Sequence, residues 1–204
     1  MSPVEIDYSG EGTTDAEAAR KMILAAGALP GRDFTQRKQP HGKAALDKRL
    51  RGYNAGAAYT PILVLRDLDQ ENCAVQSVQI LLPRRHPDCL LRIAVRSLDA
   101  WLLADREVIA RFAKVPMAEV PHAPETLAHP KRSLVQLLRH TKDRETRRRL
   151  DLDTEAGPTW QQLGGWSGDF IRLAWDPRRA AASGVVPSLS RAILRLQAVA
   201  KSLR

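Results

Sequence analysis

Pro61-Ile62-Leu63-Val64-Leu65-Arg66-Asp67-Leu68-Asp69 is the stretch whose reading decides the fold. Five apolar residues, β-branched at Ile62 and Val64, run without interruption into a charged turn. A continuous apolar run of this length suits a central parallel strand covered on both faces. Working outward, 90–95 repeats the pattern as Leu-Leu-Arg-Ile-Ala-Val. Upstream, 4–8 alternates apolar and acidic side chains, with Val4, Ile6 and Tyr8 on one face. Residues 32–36 read as a further, weak strand.

Helical patterns separate these strands. Thr14 with Glu17 three residues on forms a capping-box pattern for a helix over 15–26, closed by Gly27. A second amphipathic helix spans 42–53, with Leu46 and Leu50 on one face. A third covers 71–82 and stops at Pro83. A fourth starts after Ser97, its expected cap, and continues toward Phe112. The alternation predicts an α/β protein, a Rossmann-like, mostly parallel sheet flanked by helices. Residues 114–204 change character. An irregular stretch over 115–130 holds four prolines and is followed by a helix over 132–139. A glycine-rich segment over 154–168 then precedes closing helices at 169–175 and 188–203. The expected organisation is a core at 1–113 and a helical C-terminal elaboration at 114–204, packed together as one compact domain.

The 204 residues carry a net charge of +9, with 44% apolar and 27% charged residues. That is the composition of an ordinary globular chain. No apolar run approaches the roughly 18 residues of a membrane span, no secretory leader is visible, and two cysteines are too few for a disulfide scaffold. A cytoplasmic protein without membrane association is expected. The charge is uneven: 31–60 carries +5 and 131–149 carries +6, whereas 1–30 carries −3. Such basic segments point to a polyanionic partner, nucleic acid above all.

In open parallel sheets, sites form beyond the carboxyl ends of the strands. The first strand leads to Glu11, the central one to Asp67 and Asp69, and the next to Arg96, Ser97 and Asp99. Carboxylates brought to one edge repel one another unless a cation neutralises them, and hard oxygen ligands select Mg²⁺ or Mn²⁺. Glu11, Asp67 and Asp69 are therefore the candidate catalytic residues, and with Asp99 the candidate metal ligands. Gly10 and Gly12 flank Glu11 and are expected to let a phosphate come close. Arg66 and Arg96 flank the acids, and with Gly12, Lys131 and Arg132 they are candidate phosphate or nucleic-acid contacts. For Arg66 and Arg96, salt bridges to the same acids are an equal expectation. His129 and His140 lack partners at zinc spacing. Cys73 and Trp101 read as core residues. For Trp160, Trp166 and Trp175, core packing is expected over base stacking.

Glu11-Gly12-Thr13-Thr14-Asp15 followed by Leu65-Arg66-Asp67-Leu68-Asp69 resembles the Toprim pattern, a glutamate after the first strand and an Asp-x-Asp after the third. The chain is more specifically similar to an uncharacterised bacterial Toprim-like family, through Arg66–Cys73, the stretch Arg92-Ile-Ala-Val-Arg-Ser-Leu-Asp-Ala-Trp-Leu-Leu-Ala-Asp105, Pro130-Lys131-Arg132-Ser133-Leu134 and Ser188-Leu-Ser-Arg-Ala192. The resemblance covers most of the chain. It implies a Toprim-like fold, Mg²⁺ binding and partnership with an AAA or ABC-type ATPase, in a bacterial defence setting. Asp99 departs from the glutamate more usual there. The residues and the resemblance together point to a Mg²⁺- or Mn²⁺-dependent nuclease, or a related phosphotransfer enzyme, acting on DNA or RNA. The alternative is a non-catalytic module that docks on an ATPase or on nucleic acid. A nucleotide-handling transferase is a weaker third reading.

Overall fold

The computed structural model describes residues 3–35 and 41–202. In chain order its elements are β1 (Glu5–Ser9), α1 (Thr13–Ala25), β2 (Leu29–Asp33), α2 (Lys43–Gly56), β3 (Ile62–Asp67), α3 (Ala74–Leu81), β4 (Cys89–Ala94), α4 (Leu98–Leu103) and α5 (Arg106–Ala113). Two 3₁₀ turns, Met117–Glu119 and Pro124–Thr126, occupy the proline-rich stretch. Then follow α6 (Pro130–Arg139), α7 (Arg144–Arg149), α8 (Trp160–Leu173), α9 (Pro177–Ala182) and α10 (Pro187–Ser202). The four strands form one sheet in the order β2-β1-β3-β4, and every pairing is parallel. The chain is thus α/β, with a four-stranded all-parallel sheet between helical layers.

Strand periodicity decides which side chain enters which layer. On β3, Leu63 and Leu65 join the larger hydrophobic cluster, while Ile62 and Val64 join the smaller one. On β4, Leu90 and Ala94 take the first face; Cys89, Leu91 and Ile93 take the second. The smaller cluster is completed by Leu46 and Leu50 of α2. The larger one runs from Ile6 and α1 through Trp101 to Leu134, Trp166, Phe170 and Leu196. Residues before and after 113 therefore share one apolar cluster.

Several local expectations give way to tertiary contacts. The second strand is Leu29–Asp33, earlier than 32–36, because Leu29 and Pro30 align beside Glu5 and Ile6; residue 36 lies outside the described residues. The helix after β1 begins at Thr13, and its cap is not the Thr14–Glu17 pair. Asp15 Oδ2 instead accepts the Gly12 N–H at 2.9 Å, and the Thr14 hydroxyl donates to the Gly164 carbonyl of α8 at 3.4 Å. Ser97 sits at the start of α4, but its hydroxyl bonds Asp99 at 3.1 Å and caps no backbone group. The single helix expected up to residue 112 breaks at Asp105. That buried carboxylate accepts two 2.7 Å bonds from Arg179 and one of 3.3 Å from the Asp176 N–H, tying the break to α9. The glycine-rich segment is helical from Trp160 onward. A Thr159–Gln162 capping box starts it, and burial of Trp166, Phe170 and Ile171 overrides the low helix propensity of its glycines.

Of the glycines beside Glu11, Gly10 is the constrained one. A Cβ there would lie 2.3 Å from the Cβ of Asp15, where α1 closes over the end of β1. Gly12 has an extended backbone (φ −155°), and a Cβ would meet only Asp15 Oδ2, at 3.8 Å. Gly10→Ala should therefore cost roughly 1–3 kcal/mol through overpacking, with Gly12→Ala close to neutral. Urea unfolding of the two variants checks this, and equal midpoints would contradict the crowding at residue 10.

Candidate active site

The parallel sheet delivers the ends of β1, β3 and β4 to one edge, and their side chains meet there. The Glu11 carboxylate, just past β1, reaches the last residue of β3: its Oε1 accepts the Asp67 N–H at 2.9 Å. Asp67 Oδ1 in turn accepts the Leu98 N–H at 2.8 Å, capping α4 from across the sheet edge. Asp99, on the first turn of that helix, is 6% exposed and lies 3.8 Å from the Lys131 ammonium. Asp15 completes the group, held by its bond to the Gly12 N–H. These residues line a cleft of about 620 Å³ whose far wall is α8, through Trp160, Gly164 and Ser167. Lys131 also sits 5.7 Å from the centroid of the Trp160 ring, and Trp160 is 67% exposed, in contrast to the buried Trp101, Trp166 and Trp175.

Burial and mutual repulsion make this cluster unfavourable in its fully charged form. Burial first, then the charge of Glu11, push the Asp15 carboxyl up to about 7; the Gly12 N–H and Lys131 pull the other way. Asp67 is raised well above the carboxylate range by burial and by Asp15, Glu11 and Asp99. Burial also raises Glu11, against the Asp67 N–H bond. Asp99 is raised by burial, which Lys131 and Ser97 oppose. Burial draws the Lys131 ammonium down, but Asp99, Asp67, Asp15 and Asp69 outweigh it and hold it charged. Among the described residues, Lys131 is the only cation within ion-pair range of these four acids.

The other predicted residues take different positions. Asp69 adopts a left-handed backbone (φ 54°), which swings its carboxylate outward to Lys43 at 3.0 Å. Arg66, 4% exposed, does not face the acid cluster. Asp47 of α2 binds its Nε at 2.8 Å, Glu71 binds its Nη2 at 2.7 Å, and this pairing, with help from Ser77 and Lys43, holds the Glu71 carboxyl down at about 2. The guanidinium is thus a buried brace under the turn, with neither the phosphate contact nor the bridges to Asp67 and Asp69 expected of it. Arg96 reaches that turn through the carbonyls of Asp69 at 3.1 Å and Glu71 at 3.3 Å. It lines a smaller recess of about 160 Å³ together with Asp69 and Arg132, and Asp67, Lys131 and Trp160 lie at its junction with the main cleft. Gly12 lines the main cleft. Cys73 is only half-buried.

Asp15 is the residue that sequence reasoning passed over. It stands inside the quoted Glu11–Asp15 motif, where a carboxylate in the first turn of a helix reads as a dipole partner. Its spacing of four from Glu11 was the available signal.

The donor set suits a divalent cation. Glu11, Asp15 and Asp67 each spend one oxygen on a backbone N–H, and the second oxygen of each is unbonded among the described residues. Hard oxygens of this kind match Mg²⁺ or Mn²⁺. Among the described residues, no three His, Cys, Asp or Glu side chains stand in a metal-ligating arrangement.

A scan against protein-family models finds no match, and comparisons with curated proteins and with solved structures find none either. Among the described residues, no helix is long and apolar enough to cross a membrane.

A carboxyl raised on folding favours the folded state while protonated. For Asp15 that contribution is complete below about pH 4 and is lost as the pH rises through about 7. In chelator the protein should therefore lose thermal stability between pH 5 and pH 8. Asp15→Asn should flatten that slope and raise stability at pH 8 by about 1 kcal/mol. A wild-type melting temperature that stays level over this range would contradict the electrostatic account.

Proposed function

We propose that this protein is a Mg²⁺- or Mn²⁺-dependent enzyme that cleaves or transfers phosphodiester groups of nucleic acid, with a Toprim-like arrangement of its site. The observation that carries the reading is the meeting of Glu11 with Asp67, 56 residues apart in sequence, beside Asp15 and Asp99 in one cleft. Fold stability gives no reason to gather four carboxylates at a sheet edge, since each raises the cost of ionising the others. Binding a cation gives one.

In this reading Glu11, Asp15 and Asp67 hold the cation, and Asp99 holds Lys131 beside it. A bound Mg²⁺ or Mn²⁺ supplies phosphate polarisation and a lowered pKa for coordinated water. Lys131 offers a charge to a non-bridging phosphate oxygen. Arg96 and Arg132, in the adjoining recess, extend the contact along a backbone. The exposed Trp160 ring at the mouth offers a face for a base. In the alternative division of roles Asp15 and Asp67 hold the cation, and Glu11, whose Oε2 is unbonded among the described residues, moves a proton at the leaving or attacking oxygen. Asp69, paired with Lys43, acts from the outer shell. The ATPase partner and the defence setting implied by the resemblance belong to the same proposal.

The second reading, a non-catalytic nucleic-acid or ATPase-docking module, is favoured by the lack of a ready-made ligating trio among the described residues. The two readings separate experimentally. Incubation with supercoiled plasmid or structured RNA in Mn²⁺ or Mg²⁺ should give metal-dependent cleavage. Glu11→Ala and Asp67→Ala should each lower it by at least about a hundredfold, and Asp69→Asn by less than about tenfold. Equal cleavage by wild type and both alanine variants would overturn the assignment. Salt-sensitive binding without cleavage, retained in both variants, would establish the docking module instead.

A further inference from the structure

A second hollow of about 620 Å³ lies against the edge strand β4, between α3 and α10, and shares no lining residue with the acid cleft. Its charged lining is entirely cationic: Arg85 from the turn before β4, Arg92 from β4 and Arg191 from α10. Its apolar walls are Val75 and Val78 of α3 with Leu91 and Ile93 of β4. The Nε of Arg92 is buried and has no hydrogen-bond partner. Among the described residues, none of the three arginine side chains makes a hydrogen bond or an ion pair. Neighbouring Arg195 donates to the Pro87 carbonyl at 3.0 Å. Ser188, also in the lining, donates its N–H to Glu125 at 3.0 Å.

Arg92 is half-buried, but its Nε is fully buried, and a buried charged nitrogen is normally paired because leaving it without a partner is unfavourable. Here burial, then Arg85 and Arg195, draw Arg92 down to about 10, and among the described residues no carboxylate opposes them. We propose that this hollow is a binding site for a small organic oxyanion, a phosphate or carboxylate group carried on an apolar body. The planar forks of Arg92, Arg191 and Arg85 match the oxygens of either group, and the valine, leucine and isoleucine walls cover the apolar part. The volume lies in the range of metabolite sites. A single nucleic-acid strand fits less well, because among the described residues no aromatic ring lines the hollow.

The test is calorimetric titration of the full chain in chelator, so that no cation at the acid cleft recruits phosphate. The probes are phenyl phosphate and benzoate. Saturable binding of either, with a dissociation constant below about 10 mM, is the expected result. It should weaken at least about tenfold in Arg92→Gln and in Arg191→Gln, and stay unchanged in Glu11→Ala. Arg191 is exposed, so its variant folds even if loss of Arg92 disturbs the strand. Failure of both probes to saturate, equal binding by wild type and both arginine variants, or competition by oligothymidylate alone would each overturn the assignment, whatever the outcome at the acid cleft.

Discussion

The Glu11 side chain crosses from the end of β1 to the end of β3 and takes the Asp67 N–H. That one bond aligns two neighbouring strands at their exits. It also commits a carboxylate to the place where Asp67 must point its own toward α4. From there the rest of the edge follows. Asp67 starts α4, α4 carries Asp99, and Asp99 lies beside Lys131 at the start of α6. Gly10 is the steric condition for the arrangement, since only a residue without a Cβ lets α1 fold back close enough to bring Asp15 alongside.

Beneath the acids, a different kind of electrostatics holds the frame. Arg66 is buried but fully paired, with Asp47 from one side and Glu71 from the other, and Lys43 joins Glu71 to Asp69. Truncating one partner of such a buried pair leaves the other uncompensated, which is the costly case. The brace therefore keeps the turn after β3 in its strained left-handed form at Asp69. Among the described residues, the acid cluster has no comparable pairing beyond Lys131 near Asp99. The same sheet thus carries a satisfied charge network and a mutually repelling one within a few residues.

How much of this was legible in the sequence depended on where the deciding contact lay. The strands at 61–65 and 90–95 were readable because both of their faces are buried, so their apolar runs are continuous. Strand β2 was misplaced because Leu29-Pro-Gly-Arg-Asp is an edge segment with no periodicity of its own. The helix α8 was hidden by its glycines; burial of Trp166, Phe170 and Ile171 in the large cluster, beside Phe112 of α5, makes them tolerable. The convergence of Glu11, Asp67 and Asp99 was legible from the rule that strand exits gather at one edge. Asp15 was missed because the same residue also suits a helix start. The role of Arg66 was invisible, because one of its partners lies 19 residues earlier, on a helix whose docking no local pattern announces.

The acid cleft has walls of very different ages. Its carboxylates come from residues 11 to 99, but the opposite wall is α8, which ends at Leu173. A chain emerging from the ribosome exposes its acids early and encloses them late. The cleft has its opposite wall only once α8 has been made, so vectorial synthesis itself delays its assembly well past the emergence of its carboxylates.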